Sequence, residues 1–346
     1  MADSMNRQWL LKRRPEGMIS VEDFEYRESP VPQPDLAAGE ILVRNLYLGF
    51  DPAMRGWVTD ARSYIPPVPL GEPMRAVGVA EVVTSENDAY PVGTLVQGMF
   101  GWQDYTVAAG AGDMIQPMPL PEGTPPTVPL SVLGMTSITA YFGLLDVGQP
   151  QSGETVVVSG AAGATGSVVA QIARIKGCRV IGIAGGEEKC QWLRDACHLD
   201  GVIDYRSENV EARLGQLCPD GINVFFDNVG GDTLEAAIEH IADFGRIVLC
   251  GMISGYNDAD PAPGPKNLMY LVARRVKMQG FIVMDYLDRL DEAMGDLMTW
   301  LGEGKLAWRE DVQEGFENIP ATLLRLYDGR NQGKQLLKLA EPGSGV

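Results

Sequence analysis

The chain has 346 residues, 45% hydrophobic and 21% charged, with a formal net charge of −18. That length predicts two domains, each with its own core. The acidic balance excludes nucleic acid and anionic membranes as natural partners, since both need a basic surface, but leaves room for an anionic cofactor held by a local cluster of cations.

From Trp9 to Ala109 the pattern is β-like. "EILVRNLYLGF", "VGVAEVVTS" and "GTLVQGMFGWQDYTVAA" are short, rich in Val, Tyr and Phe, and bounded by turn residues. Proline-rich loops intervene, and "PMPLPEGTPPTVPLSVLGM" reads as a domain boundary. Beyond it the period changes. "TVVVSG", "RVIGIAG", "GVIDY", "NVFFDNVG" and "RIVLCG" are apolar runs separated by helical patterns such as "GSVVAQIARIKG", "EEKCQWLRDAC" and "DTLEAAIEHIADFG". Such alternation predicts a doubly wound parallel sheet, with "RVKMQGFIV" as its sixth strand. The last stretch, "EDVQEGFENIPATLLRLYDGRNQGKQLLKLA", reads strand, helix, strand and is expected to rejoin the N-terminal β domain. The expected domains are therefore 1–130 with 308–346, and 131–307.

The five cysteines, Cys178, Cys190, Cys197, Cys218 and Cys250, form no C-x-x-C pair. With no apolar signal core at the N-terminus, they predict a reducing, cytoplasmic setting. No apolar run reaches the ~20 residues of a membrane span.

The first strand of the second domain runs into "GAAGATG". Gly160, Gly163 and Gly166 at a strand-to-helix junction let backbone approach a pyrophosphate, where the helix N-terminus favours negative charge. With further βα units following, the turn points to a dinucleotide. NAD-binding units carry an acid about 20 residues on, which holds the ribose 2′-OH. Here Gly185 and Gly186 occupy that place. An acid would repel a 2′-phosphate, whereas glycine leaves room for one. Lys189, Tyr205 and Arg206 stand nearby to hold it, so NADPH/NADP+ is the expected cofactor. Glu187 and Glu188 are read as first-turn acids that suit the helix dipole and point to solvent.

These residues carry a resemblance. "NRQWLLKRRPEG", "LYLGFDPAMRGWV", "SYIPPV", "GWQDY", "AGGEEKC", "FDNVGG", "CGMISGYN", "MQGFIV" and "GFENIPATLLRLYDGRNQGK" stand in order along nearly the whole chain. Together they resemble the medium-chain dehydrogenases/reductases, in the leukotriene B4 12-hydroxydehydrogenase/prostaglandin reductase branch. Within it the likeness is to the bacterial curcumin-reductase type of NADPH-dependent enone/2-alkenal reductase. The resemblance implies a GroES-like β-rich substrate domain beside the Rossmann cofactor domain, and a homodimer formed through the latter. It implies that Gly163, Ala164, Thr165 and Gly166 face the pyrophosphate, and that Lys189 and Tyr205, beside Gly185, contact the 2′-phosphate. It further places Asn228, the loop Cys250, Gly251, Met252, Ile253, Ser254 and Tyr256, then Phe281, Ile282, Val283 and Asn331 along the nicotinamide cleft. Departures are visible. Thr165 stands where the family has Val, Ala170 where it has Gly, and Ala53 where it has Tyr, while "GEPMRAVG" replaces a pattern nearer "GxxMxGG". The last two lie in the substrate domain and bear on substrate range.

Zinc dehydrogenases of the same superfamily need Cys and His ligands, yet only His198 and His240 are present and no "GHE" occurs. They read as surface or packing histidines. No Tyr-x-x-x-Lys and no G-x-S-x-G occurs either. The expected chemistry is a metal-free hydride transfer from NADPH to a small apolar α,β-unsaturated ketone or aldehyde. A hydrogen-bond donor would stabilise the developing enolate. Tyr256 is the first candidate for that donor and Tyr64 the second. Met54, Trp57, Met74, Met252 and Met284 are candidates to line an apolar pocket. Competing readings are a quinone or 15-oxo-prostaglandin-type reductase, a secondary alcohol dehydrogenase, or a non-catalytic NADPH-binding sensor. A methyltransferase, which also uses a glycine-rich turn, would want an acid near Gly185.

Overall fold

The computed structural model describes residues 5–110, 116–260 and 263–343. It comprises two units, one of Met1–Leu130 with Glu310–Val346, the other of Ser131–Arg309.

The first unit is built mainly of antiparallel strands. β1 (Met5–Leu11) and β2 (Phe24–Pro30) form a two-stranded pair. β3 (Ile41–Gly49) is followed by the short helix α1 (Met54–Trp57) and then by β4 (Val77–Thr84) and β5 (Leu95–Met99). β6 (Tyr105–Ala108) pairs with β3, and β7 (Met118–Pro119) with β5. The run "GTLVQGMFGWQDYTVAA" is thus two strands rather than one. Gly101 breaks it in the left-handed region, at φ 73°. Met54, Met74 and Trp102 are fully buried in the core cluster that also takes in Leu48, Phe316 and Leu323.

The second unit opens with α2 (Met135–Phe142), which widens into a π-helical turn over Gly143–Gly148. The alternation then runs β8 (Thr155–Ser159), α3 (Ala164–Ile175), β9 (Arg179–Ala184), α4 (Glu187–Asp195), β10 (Gly201–Asp204), α5 (Val210–Leu217), β11 (Ile222–Asp227), α6 (Gly231–Glu239), β12 (Ile241–Leu249), α7 (Met269–Ala273), β13 (Lys277–Gly280) and α8 (Leu290–Gly302). All six strands are parallel, in the order β10-β9-β8-β11-β12-β13. The strands are apolar throughout because both faces are covered. Val156 and Val158 enter one core with α3 and α8, while Val157 enters the other with α5 and α6. The sixth strand is shorter than "RVKMQGFIV" suggests. It ends at Gly280, and Val283–Arg289 turn into 3-10 helix. β12 is longer, starting at Ile241.

The chain returns to the first unit as β14 (Glu310–Glu314), α9 (Ile319–Tyr327) and β15 (Lys334–Lys338). β14 and β15 are parallel, as a strand-helix-strand crossover requires. β15 joins β3 antiparallel, giving the order β14-β15-β3-β4-β5-β7.

Candidate functional site

In the second unit the chain runs outward from β8 to β10, then crosses back to β11 beside β8. Strand order reverses between β8 and β11, and open α/β sheets bind ligands beyond the strand ends at such a switch point. "GAAGATG" lies there. A Cβ on Gly166 would lie 2.3 Å from the Gly160 carbonyl oxygen and 2.9 Å from Ala161 Cα, so only glycine lets α3 start this close to the turn. The first bond of the α3 ladder runs from Ser167 N–H to the Gly163 carbonyl at 3.0 Å. The amides of Ala164, Thr165 and Gly166 therefore precede the ladder and point out of the positive end of the helix.

A buried carboxylate ties the neighbouring strand ends together. Asp227, the last residue of β11, has no exposed surface. It accepts from the Ser159 hydroxyl at 2.7 Å and from the amides of Val229 and Gly230 at 3.0 Å. Its carbonyl accepts the Cys250 and Gly251 amides at 2.9 and 3.1 Å. Burial pushes its carboxyl above the ordinary range, and these donors moderate the shift. Asn228 donates its side-chain N–H to the Ser159 carbonyl at 2.7 Å, and its own carbonyl accepts the Ile253 amide at 3.3 Å. Gly163 to Gly166, Asn228 and the loop from Cys250 to Tyr256 thus sit on the linked ends of β8, β11 and β12. Burial, helped by the Asp227 carboxylate, pushes the Cys250 thiol up to about 12, so it is neither a thiolate nor a nucleophile near neutral pH.

The β9–α4 turn lies on the other side of β8. Gly185 is buried under the Tyr205 ring; a Cβ there would lie 2.6 Å from the ring carbons. Gly186 caps α4 at φ 93° and ψ 147°, a conformation that side chains rarely adopt. No acid stands at this strand end, and the one that closes the next strand, β10, is turned inward. Asp204, ending β10, accepts from Gly186 N–H at 2.8 Å, from Arg206 N–H at 3.0 Å and from the Ser207 hydroxyl at 3.0 Å. Burial opposes its ionisation, but those three donors and the Arg206 charge outweigh it and hold the carboxyl below its usual range. Tyr205 is 52% exposed, and Lys189 is half-buried in the first turn of α4. Glu187 and Glu188 are exposed, and each meets an arginine: Arg194 at 2.8 Å and Arg309 at 2.5 Å.

The remaining candidates are distributed as follows. The Tyr256 hydroxyl folds back over its own loop and accepts the Met252 amide at 3.3 Å. Phe281 turns its ring onto Gly143 and Phe226, so its side chain belongs to the packing of the second unit. Ile282 and Val283 follow β13 and are half-buried. Tyr64 and Asn331 belong to the first unit. The Tyr64 hydroxyl accepts from the Trp57 indole N–H at 3.0 Å, and Asn331 donates to the Gly333 carbonyl at 3.0 Å. Of the candidate pocket methionines, Met54 and Met74 are core residues with no exposed surface, whereas Met252 is 44% exposed. His198 is exposed, and His240 packs against Gly215. Among the described residues no group of three His, Cys, Asp or Glu side chains is placed to hold a metal.

Ser159, Asp204 and Asp227 were not among the residues expected from sequence. Their signal was available: an acid closes an otherwise apolar strand in both "GVID" and "NVFFD". Such an acid at the carboxyl edge of a parallel sheet can accept the amides of the loops that leave it.

The comparisons with known proteins agree with this architecture. A family profile described as "N-terminal domain of oxidoreductase" matches residues 7–116, and one described as "Zinc-binding dehydrogenase" matches residues 164–300. The NADPH-dependent curcumin reductase of Escherichia coli (strain K12) is 40% identical over 340 residues, covering 97% of each chain. The 2-alkenal reductase (NADP(+)-dependent) of Nicotiana tabacum is 35% identical, over 97% of this chain and 98% of the relative. The crystal structure of CurA in complex with NADPH from Vibrio vulnificus superposes with a TM-score of 0.91 at 41% identity, covering 97% of this chain and 100% of the other. With a β-rich unit, a Rossmann unit wound around a glycine turn and such likeness along its length, the chain belongs to the medium-chain dehydrogenase/reductase family, in its leukotriene B4 12-hydroxydehydrogenase/prostaglandin reductase branch.

Proposed function

We propose that this protein uses NADPH to reduce the carbon–carbon double bond of α,β-unsaturated ketones and aldehydes, without zinc. The observation that carries the cofactor is the glycine end of β9, where Asp204 is turned inward onto the Gly186 amide and Lys189, Tyr205 and Arg206 surround the turn. A ribose 2′-phosphate would meet Lys189 and Arg206 there, with Glu187 and Glu188 held in ion pairs by Arg194 and Arg309. The cradle at Gly166 fits the pyrophosphate, because a Cβ there would meet the Gly160 carbonyl and Ala161 and drive the start of α3, with its three leading amides, away from the turn. In this reading Gly163, Ala164, Thr165 and Gly166 hold the pyrophosphate, and Lys189 and Tyr205 the 2′-phosphate. Asn228, the Cys250–Tyr256 loop, Phe281–Val283 and Asn331 hold the nicotinamide half. The relatives named for NADPH, for curcumin reduction and for 2-alkenal reduction support both cofactor and substrate class.

When bound, the nicotinamide supplies a hydride equivalent. This chain's own part is to orient the unsaturated carbonyl compound and to stabilise charge on its oxygen. Tyr256 is the assigned donor: a phenol whose O–H can meet the developing enolate oxygen, a contribution of about 3 kcal/mol for one well-placed donor. Tyr64, held by Trp57, is the second candidate. The scattered histidines and the raised thiol of Cys250 support a reaction without zinc or a cysteine nucleophile. A homodimer through the second unit is supported by Leu268, Met269 and Val272, which expose 48%, 74% and 70% of their surface just before the edge strand β13. The cytoplasmic assignment is supported by five cysteines that stand as thiols.

The test is a panel of enones, alkenals, quinones and secondary alcohols with NADPH and NADH, before and after dialysis against a strong chelator. Turnover of enones and alkenals with NADPH, unchanged by chelation, is expected. Faster turnover of quinones or alcohols, or activity lost on chelation and restored by zinc, would overturn the reading.

A further inference from the structure

Ser159, the last residue of β8, has no exposed surface, and its hydroxyl is used twice. The Asn228 amide N–H donates to Ser159 Oγ at 2.8 Å, so the hydroxyl's own proton is the one that reaches Asp227 Oδ1, at 2.7 Å. The direction of this chain of bonds is thereby fixed: Asn228 N–H to Ser159 O–H to the Asp227 carboxylate. The other bonds of that carboxylate run the same way. Val229 N–H donates to Oδ1 at 3.0 Å, and Gly230 N–H to the two oxygens at 3.0 and 3.1 Å. A buried carboxylate so held cannot turn without leaving a donor unsatisfied.

The network reaches two further parts of the site. The carbonyls of Asp227, Asn228 and Val229 hold the next loop in register. Asp227 accepts from the Cys250 and Gly251 amides, Asn228 from Ile253 at 3.3 Å, and Val229 from the Ser254 amide at 3.1 Å and its hydroxyl at 2.6 Å. The loop from Cys250 to Ser254 therefore takes its position from Asp227–Val229. The Asn228 side chain is oriented too. Its Nδ2 donates to the Ser159 carbonyl at 2.7 Å, which leaves Oδ1 as the free end of the amide. Asn228 is half-buried, and its Oδ1 accepts no hydrogen bond among the described residues. Such an acceptor at the carboxyl edge of the sheet suits a ribose hydroxyl or a carboxamide N–H, and the nicotinamide half of a dinucleotide carries both.

We propose that Ser159 is a positioning residue for the nicotinamide half of the cofactor, its hydroxyl setting Asn228 and the loop that follows β12 through Asp227. This assignment rests on the NADPH reading and adds to it a buried side chain that acts through Asn228.

Ser159→Ala removes the hydroxyl but keeps the carbonyl that holds Asn228 Nδ2, so the turn can still form. Two affinities are measured by titration calorimetry without substrate: NADPH, and 2′,5′-ADP, which has the adenosine and its 2′-phosphate but no nicotinamide half. The melting temperature of each unliganded variant is recorded alongside. Ser159→Ala is expected to weaken NADPH about three- to thirtyfold, with 2′,5′-ADP changed less than about twofold. In a cycle with Asn228→Ala, the double variant should bind NADPH more tightly than the product of the two single losses requires. Ser159→Cys, which keeps a weak donor, should fall between wild type and Ser159→Ala, and it carries the same comparison if the alanine variant does not fold. Equal losses for NADPH and 2′,5′-ADP would make Ser159 structural only and overturn the proposal. No loss for either would overturn it too, as would full additivity in the cycle, since Ser159 would then act without Asn228. Wild-type protein that does not bind 2′,5′-ADP would sink the NADPH reading instead, and the comparison would pass to NADH against 5′-AMP.

Discussion

The glycine cradle makes a prediction whose sign depends on geometry rather than residue type. Gly166 and Gly295 are both helical glycines, in α3 and α8. At Gly295 an added Cβ meets nothing within 4 Å. At Gly166 it would lie 2.3 Å from the Gly160 oxygen and 2.9 Å from the Gly160 carbon and Ala161 Cα. Relieving that contact requires a shift of roughly 1 Å in backbone held on both sides, by Gly163 N–H to Gly160 O and by Ala161 N–H to Ile183 O, each 3.0 Å. Overpacking costs about 1–3 kcal/mol, and backbone neighbours put this case near the top of that range. Gly166→Ala should therefore lose about 2–3 kcal/mol, or roughly 5–10 °C in melting temperature for a unit of this size. It should also weaken NADPH at least about tenfold, because the displaced amides are those assigned to the pyrophosphate. Gly295→Ala should gain up to about 1 kcal/mol from helix propensity and leave NADPH binding unchanged. Thermal unfolding followed by circular dichroism, with calorimetric titration of NADPH, measures both. A Gly166→Ala protein as stable as wild type and with equal affinity would show that the turn yields freely, and the cradle argument would fail.

Three further outcomes are expected. Lys189→Ala should raise the KM for NADPH by roughly ten- to a hundredfold and leave NADH almost unaffected, the loss of one charge-assisted contact; equal losses would remove Lys189 from the phosphate site. Tyr256→Phe should lower kcat with an enone by roughly ten- to a thousandfold with little change in NADPH affinity; a change in enone KM alone would make Tyr256 a wall and move the assignment to Tyr64. In the first unit, burial works against ionised Asp311, yet Arg325 at 2.7 Å, Gln313 and the Gln332 amide prevail and hold its carboxyl below the usual range. A depressed folded pKa stabilises above the unfolded value of about 3.9 and is lost as pH falls through the folded value. Asp311→Asn should thus cost about 2 kcal/mol at neutral pH and progressively less as pH falls below about 4, read from urea unfolding across pH; a cost independent of pH would contradict the assignment.

Sequence by itself determined the parts that are local. The strand-helix alternation, the glycine turn at Gly160–Gly166 and the absence of an acid at Gly185 follow from side-chain periodicity and backbone freedom within a few residues. The return of the last segment to the β-rich unit was also legible, because strand-helix-strand after a parallel domain has few other places to go. What tertiary structure decided is long-range. Asp227 looks like any strand-ending acid until the Ser159 hydroxyl, 68 residues earlier, is found 2.7 Å from it. Asp204, which closes the adjacent strand β10, is turned onto the Gly186 amide, 18 residues away in sequence. Met54 and Met74, plausible pocket residues on the page, are core, because their neighbours come from α9 and β15 at the far end of the chain. Glu188 likewise meets Arg309, 121 residues further along the chain. Hydrogen bonds and ion pairs act over about 3 Å, and only folding brings residues so far apart in sequence to that distance.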